Sequence, residues 1–171
     1  MRNVPNRLAL LLLLAACCVG CDQGTKLIAA ERLEGGPGRS LLFGTVRLVY
    51  AENAGAFLGL GSGLSEGLRN LLAVATAVMV IGVFWMALRG AQKSMLHSIS
   101  FALVAAGGAS NLIDRVLNDG RVIDFMVVGV GGLRTGVFNV ADMAITAGAL
   151  LLVALAFRQR SSPADAEEGS G

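Results

Sequence analysis

The sequence predicts an all-α polytopic membrane protein in which four transmembrane helices carry a small extracytoplasmic β element. Three observations lead there. Hydrophobic residues make up 54% and charged residues 15% of the 171 positions, and a mean hydropathy of +0.67 is far too high for a soluble domain of this length. The apolar residues are gathered into runs long enough to cross a hydrocarbon core of about 30 Å at about 1.5 Å per residue. Between those runs lie stretches rich in Val, Leu, Phe and Tyr, flanked by glycines, with the composition of strands and turns. The net charge of +2 is small and no Lys/Arg cluster is interleaved with aromatics, so no nucleic-acid partner is expected.

The first span starts after Arg7, runs from Leu8 through Cys21, and continues past the charged Asp22 and Lys26 to Ala30 (8–30). Gly35-Gly36-Pro37-Gly38 then supplies turn chemistry, and Ser40 to Tyr50 reads as a strand. The second span, 69–88, contains the charge-free run from Leu71 to Leu88. The third occupies 95–115 and includes Ala105-Ala106-Gly107-Gly108-Ala109-Ser110, a face with almost no side chain that lets another helix approach closely. Val122 to Val130 reads as a second strand, Gly131-Gly132 as a turn, and Leu133 to Phe138 as the returning strand of a hairpin. The fourth span covers 137–157 and is stopped by Arg158 and Arg160. Residues 1–160 are expected to form one membrane domain. The polar tail 161–171, with Pro163, Asp165, Glu167 and Glu168, is expected to be disordered and cytoplasmic.

Four spans put both termini on one side. The flanks Arg2 and Arg7, Arg89 and Lys93, and Arg158 and Arg160 contain no acids, which assigns them to the cytoplasm even though Arg32, Arg39, Arg47, Arg69, Arg121 and Arg134 lie on the other side. Cys17, Cys18 and Cys21 crowd into one span with no fourth partner, which argues against a disulfide framework or a zinc site. His97, near the start of a span beside Lys93, reads as a boundary residue. Leu14-Ala15-Ala16-Cys17, following Arg2 and Arg7, also matches the pattern of a bacterial lipoprotein signal peptide. Because three further spans follow, the segment is read as a membrane helix.

A charge at the centre of a membrane helix costs about 2.5–3.5 kcal/mol, so each one needs a reason. Asp22 and Lys26 stand one helical turn apart and either neutralise each other or serve a site. Asn111, Asp114 and Arg115, related by three and four residues, share a helical face. A salt bridge at a helix end would account for the two charges but not for the amide of Asn111. Asp124 and Asp142 stand in apolar company, and Asn139, three residues before Asp142, points the same way at the top of the fourth span. Two carboxylates close together in a low-dielectric site hold one proton between them near neutrality. One can then act as base toward a water and the other as acid toward a leaving nitrogen, which is peptide hydrolysis without a metal or other cofactor.

Five blocks occur in order along the chain: Asp22-Gln23-Gly24-Thr25-Lys26, Asn53-Ala54-Gly55-Ala56-Phe57, Gly107-Gly108-Ala109-Ser110-Asn111-Leu112-Ile113-Asp114-Arg115, Val122-Ile123-Asp124-Phe125, and Phe138-Asn139-Val140-Ala141-Asp142. Through them the sequence resembles signal peptidase II, the aspartic peptidase family of lipoprotein signal peptidases, along nearly its whole length. The resemblance implies that Asp124 and Asp142 are a catalytic dyad cutting a prolipoprotein immediately before its diacylglyceryl-modified cysteine. It implies that Asn53, Gly55, Asn111, Asp114, Arg115 and Asn139 line or shape the substrate site, helped by Asp22 and Lys26 from the first span. The loop through Phe57, Leu58 and Leu60 would be a flap over the scissile bond. The partners implied are diacylglyceryl-modified prolipoproteins and membrane lipid, for a monomer in the bacterial inner membrane with its site at the extracytoplasmic boundary. Two departures stand out: Ser110, where the family often has Gly and where the change is expected to be tolerated, and the absence of a frequent tryptophan in 131–137.

Other readings use the same residues. A metal-dependent membrane transferase acting on lipid phosphates would employ Asp114, Asp124 and Asp142 as oxygen ligands for magnesium. A small transporter or assembly subunit would use Asp22, Lys26 and Arg115 as a proton or ion relay.

Overall fold

A computed structural model describes residues 4–55, 65–90 and 94–160. Within them, α1 (Val4–Leu33), α2 (Glu66–Gly90), α3 (Met95–Leu117) and α4 (Val140–Arg160) each contain a stretch long and apolar enough to cross a membrane. The residues expected to form the flap, Phe57, Leu58 and Leu60, the basic flank residues Arg2 and Lys93, and the tail 161–171 lie outside the described residues.

The third helix is the hub. Half of its span is buried, against 11%, 6% and 17% for the spans of α1, α2 and α4, and α3 packs against all three of the other helices. The small-residue face explains how. A Cβ at Gly107 would collide with the carbonyl oxygen of Ala141 on α4 and lie 2.8 Å from Ile145 Cγ1. One residue on, a Cβ at Gly108 would lie 2.7 Å from Val80 Cγ2 on α2. Adjacent glycines thus serve two different neighbours, and Gly148 on α4 answers with its own close approach, 2.6 Å from its hypothetical Cβ to Ser100 O.

Between α1 and α2, and again between α3 and α4, the chain builds one antiparallel sheet of four strands in the order β1 (Arg39–Leu41), β2 (Val46–Asn53), β3 (Val122–Val130), β4 (Leu133–Arg134). The strand expected over Ser40 to Tyr50 is instead a hairpin folded at a 3-10 turn, Leu42–Gly44. Composition hid the turn, because Leu42 and Phe43 are strand-type residues, yet both adopt positive φ (49° and 55°) ahead of Gly44 at 88°. β3 has the bounds read from the sequence. The returning strand stops at Arg134 rather than Phe138, because the Thr135 side chain takes over as acceptor for Val128 N (3.0 Å) and the chain then leaves the ladder. It rejoins at Phe138, which pairs with Met126, so α4 begins at Val140 and not at 137.

A register shift in β2 between Leu48 and Ala51 sets Ala51 opposite Asp124 and Asn53 opposite Val122. Phe125, buried against Ala29 and Leu33 of α1, fastens the sheet to the end of that helix. At 30 residues, α1 is about 45 Å long. Its last turns therefore project beyond a hydrocarbon core of about 30 Å and form a post on which the sheet rests.

Candidate active site

The chain entering α4 is shaped by a reciprocal cap. Asn139 Oδ1 accepts from Asp142 N (2.9 Å), while Asp142 Oδ2 accepts from Asn139 N (3.3 Å). The cap fixes Asp142 at the first turn and leaves the Asn139 amide nitrogen facing away from the helix. That nitrogen, fully buried, donates to Asp124 Oδ1 (2.7 Å) on β3, to Asn111 Oδ1 (3.1 Å) on α3, and more weakly to Ile123 O (3.3 Å). Asn111 then donates from Nδ2 to Asp142 Oδ1 (3.0 Å). Asp124 and Asp142 are thereby joined through two linked amides, Asn139 on Asp124 and Asn111 on Asp142. Both carboxylates are buried, and both line one cleft of about 520 Å³.

Asp124 receives a further hydrogen bond from Asn53 Nδ2 (3.0 Å) at the end of β2. Burial pushes its pKa up to about 7; the hydrogen bonds from Asn53 and Asn139 pull it down, and the neighbouring charge of Asp142 adds to the rise. Asn53 Oδ1 accepts from Gly55 N (2.9 Å), and Gly55 O accepts from Arg115 (3.0 Å). Arg115 also donates to Asn111 O (3.3 Å). It is thus the anchor of the loop that leaves β2.

The salt bridge considered between Asp114 and Arg115 is not formed, because Asp114 faces inward to Lys26. Lys26 Nζ makes ion pairs with Asp22 (2.6 Å) and Asp114 (2.8 Å) and donates to Asn111 Oδ1 (2.9 Å). With Asp22 at 0% and Lys26 at 1% exposure, these charges endure only because every carboxylate oxygen finds a donor. Asp22 accepts from Ala141 N (2.7 Å) and Ser110 Oγ (2.7 Å), and Asp114 from Gln23 Nε2 (2.7 Å) and Ile123 N (3.0 Å). Asp22 and Lys26 do neutralise each other across the turn, and Lys26 also reaches Asn111, the amide that bonds Asp142. Lys26 and Asn139 both donate to Asn111 Oδ1, which fixes the amide so that its nitrogen meets Asp142.

The two aspartates of the expected dyad and the eight residues expected to line or shape the site meet in this one network. Two partners were not foreseen. Gln23 donates to Asp114, Ser110 Oγ (3.0 Å) and Ser110 O (3.2 Å), and its position between Asp22 and Lys26 in an apolar span was the signal for it. Ser110, noted only for its bulk, uses its hydroxyl to join Gln23 to Asp22. The magnesium set Asp114, Asp124 and Asp142 does not converge, since Asp114 is bound to Lys26. Among the described residues no group of three acids, histidines or cysteines is placed to hold a metal ion.

The cleft is walled by Leu72, Thr76 and Met79 of α2 and by Ile145, Thr146, Ala149 and Leu150 of α4, with Gly108 and Asn111 of α3 behind. Fold and site together define a multi-pass membrane protein that presents two carboxylates in a cleft walled by its own spanning helices. The sequence profile of Signal peptidase (SPase) II matches residues 14–158, and the chain belongs to that family. It is 35% identical over 156 residues to the lipoprotein signal peptidase of Mycobacterium leprae (strain Br4923), a match covering 88% of this chain and 73% of that one. The lipoprotein signal peptidase of Staphylococcus aureus is 28% identical, with 91% and 93% covered. A bacterial membrane enzyme solved by the in meso method superposes with a TM-score of 0.80 at 27% identity, covering 93% of this chain and 94% of that one.

Proposed function

We propose that this protease removes signal peptides from prolipoproteins by aspartic catalysis, cutting before the diacylglyceryl-modified cysteine, with Asp124 and Asp142 as the dyad. The observation that carries this reading is the pair of carboxylates, from β3 and α4, oriented inside one apolar cleft by linked amides, Asn139 on Asp124 and Asn111 on Asp142. Asp124, its pKa raised to about 7, keeps a proton near neutrality and is the acid. Water adds to the scissile carbonyl carbon as it gives a proton to Asp142, and Asp124 gives its own proton to the carbonyl oxygen. Collapse of the resulting gem-diol breaks the C–N bond: one of its hydroxyls returns a proton to Asp124 as the C=O re-forms, and the leaving nitrogen takes up the proton held by Asp142.

The cleft lies between α2 and α4 and is open toward the lipid-facing sides of both, where Met79 and Leu150 are about half or more exposed. A diacylglyceryl group reaches such a site without leaving the bilayer. Asn53 and Gly55, held by Asp124 and Arg115, support the reading of the loop after β2 as a flap over the bound peptide. The purely basic flanks at Arg89 and Arg158 support cytoplasmic termini and a site at the extracytoplasmic boundary. Both carboxylates come from one chain, consistent with a monomer.

The deciding experiment is cleavage of a lipidated precursor by the purified chain, compared with Asp124→Asn and Asp142→Asn. Each variant should lose at least about 10²-fold in turnover while retaining its thermal unfolding transition in detergent. Turnover persisting in either folded variant would remove that residue from the dyad.

A further inference from the structure

Strand β3 has two faces, and the second one carries a feature the catalytic chemistry does not use. Asp124 lines the catalytic cleft, whereas its neighbour Phe125 points the opposite way and lines a separate cavity of about 220 Å³ between the end of α1 and the sheet. The floor and walls of this cavity are Ile28, Ala29, Leu33, Leu48 and Phe125, all apolar. Thr25 and two arginines complete the lining, Arg32 from the last turn of α1 and Arg39 from β1. Both are exposed, and neither forms an ion pair or side-chain hydrogen bond among the described residues. By contrast, Arg47 and Arg134 on the same sheet donate to the carbonyls of Pro37 and Gly44.

We propose that this cavity binds an anionic phospholipid of the sheet-side leaflet, its phosphate held by Arg32 and Arg39 and the start of one acyl chain lying on Ile28 and Phe125. Three features of the molecule select that occupant. Guanidinium pairs match phosphate oxygens by charge and by planar geometry. The cavity opens along Ile28, 54% exposed on a spanning helix, so an acyl chain continues from it down the face of α1. The neighbouring turn exposes Leu41, Leu42 and Phe43, the last of them completely, and apolar side chains flanked by arginines suit the headgroup boundary of a bilayer rather than water. Glu31 and Glu34 lie on the same helix end but do not line the cavity. Occupancy would brace Phe125, and with it the strand that holds Asp124, from behind.

The test is lipid binding by the full-length chain, measured by native mass spectrometry from detergent with phosphatidylglycerol, phosphatidylcholine or inorganic phosphate added. Phosphatidylglycerol should bind about tenfold more tightly than phosphatidylcholine, and the double variant R32Q/R39Q should abolish that preference. The charge-matched double variant R47Q/R134Q, on the same sheet, should keep it. Equal binding of the two lipids overturns the proposal, as does an equal loss in both double variants, which would reduce the effect to general surface charge. Inorganic phosphate displacing the lipid at similar concentration would mean a soluble anion is the ligand, and that too overturns it. Neither the assay nor the variants involve the dyad, so a failure here leaves the peptidase reading untouched.

Discussion

Asn139 shows how much chemistry one small amide can organise. It caps α4, spans the gap between β3 and α4, and touches both carboxylates. The elevated pKa of Asp124 has a consequence for stability as well as for turnover. The folded chain retains a proton up to about pH 7 that the unfolded chain releases near 3.8, so folding stability falls as pH rises through that window. The unfolding midpoint in detergent should therefore drop between pH 5 and pH 8, and drop less in Asp124→Asn. Turnover by the native chain should decline above about pH 7, where the acid loses its proton. Lys26 predicts a different kind of failure. Lys26→Met leaves Asp22 and Asp114 buried without their cation, at a cost of about 3–5 kcal/mol, so thermal unfolding should move down sharply and activity with it. The two central aspartates were legible in the sequence because a carboxylate in apolar company demands a reason. The role of Asn139 was not, since a cap can be read only once the helix is known to start at Val140, and the sequence placed that start at 137.

Helices were the most legible elements, because about 20 apolar residues in a row have few alternatives. Their ends were less so: α1 runs on to Leu33 past the polar residues that seemed to end it. The β1–β2 hairpin was misread as one strand because its turn is built from Leu42 and Phe43, residues that in water would belong inside a sheet. The glycine face of α3 was read correctly as a site of close approach, and it supports a quantitative expectation. Gly107→Ala drives a methyl group into the Ala141 carbonyl and toward Ile145, an overpacking that should cost about 1–3 kcal/mol. Because Ala141 N donates to Asp22 and precedes Asp142, turnover should fall further than the loss of stability explains. Comparing unfolding midpoint and kcat for this variant separates the two effects.

At the scale of the molecule, α2 and α4 are both packed on α3 and leave the cleft that holds Asp124 and Asp142 between them. If substrate arrives through that gap, larger side chains at its lipid-facing edge should obstruct arrival rather than chemistry. Met79→Trp and Leu150→Trp should each raise KM for a lipidated precursor with kcat little changed, and should matter less for a short soluble peptide. The general outline, four spans with acids gathered at one boundary, could be read from the order of five short blocks. What could not be read is which segments touch, and the buried cluster around Lys26 supplies that answer. Its members come from α1, from α3 and, through Ala141, from α4. Asp22, Lys26 and Asp114 can pair once α1 and α3 are in place, but Asp22 gains the Ala141 donor, and Asp124 its companion Asp142, only with α4. On the proposed dyad, a polypeptide still being threaded into the bilayer and lacking its final segment has no working scissors, and the protease stays harmless until its own synthesis is nearly complete.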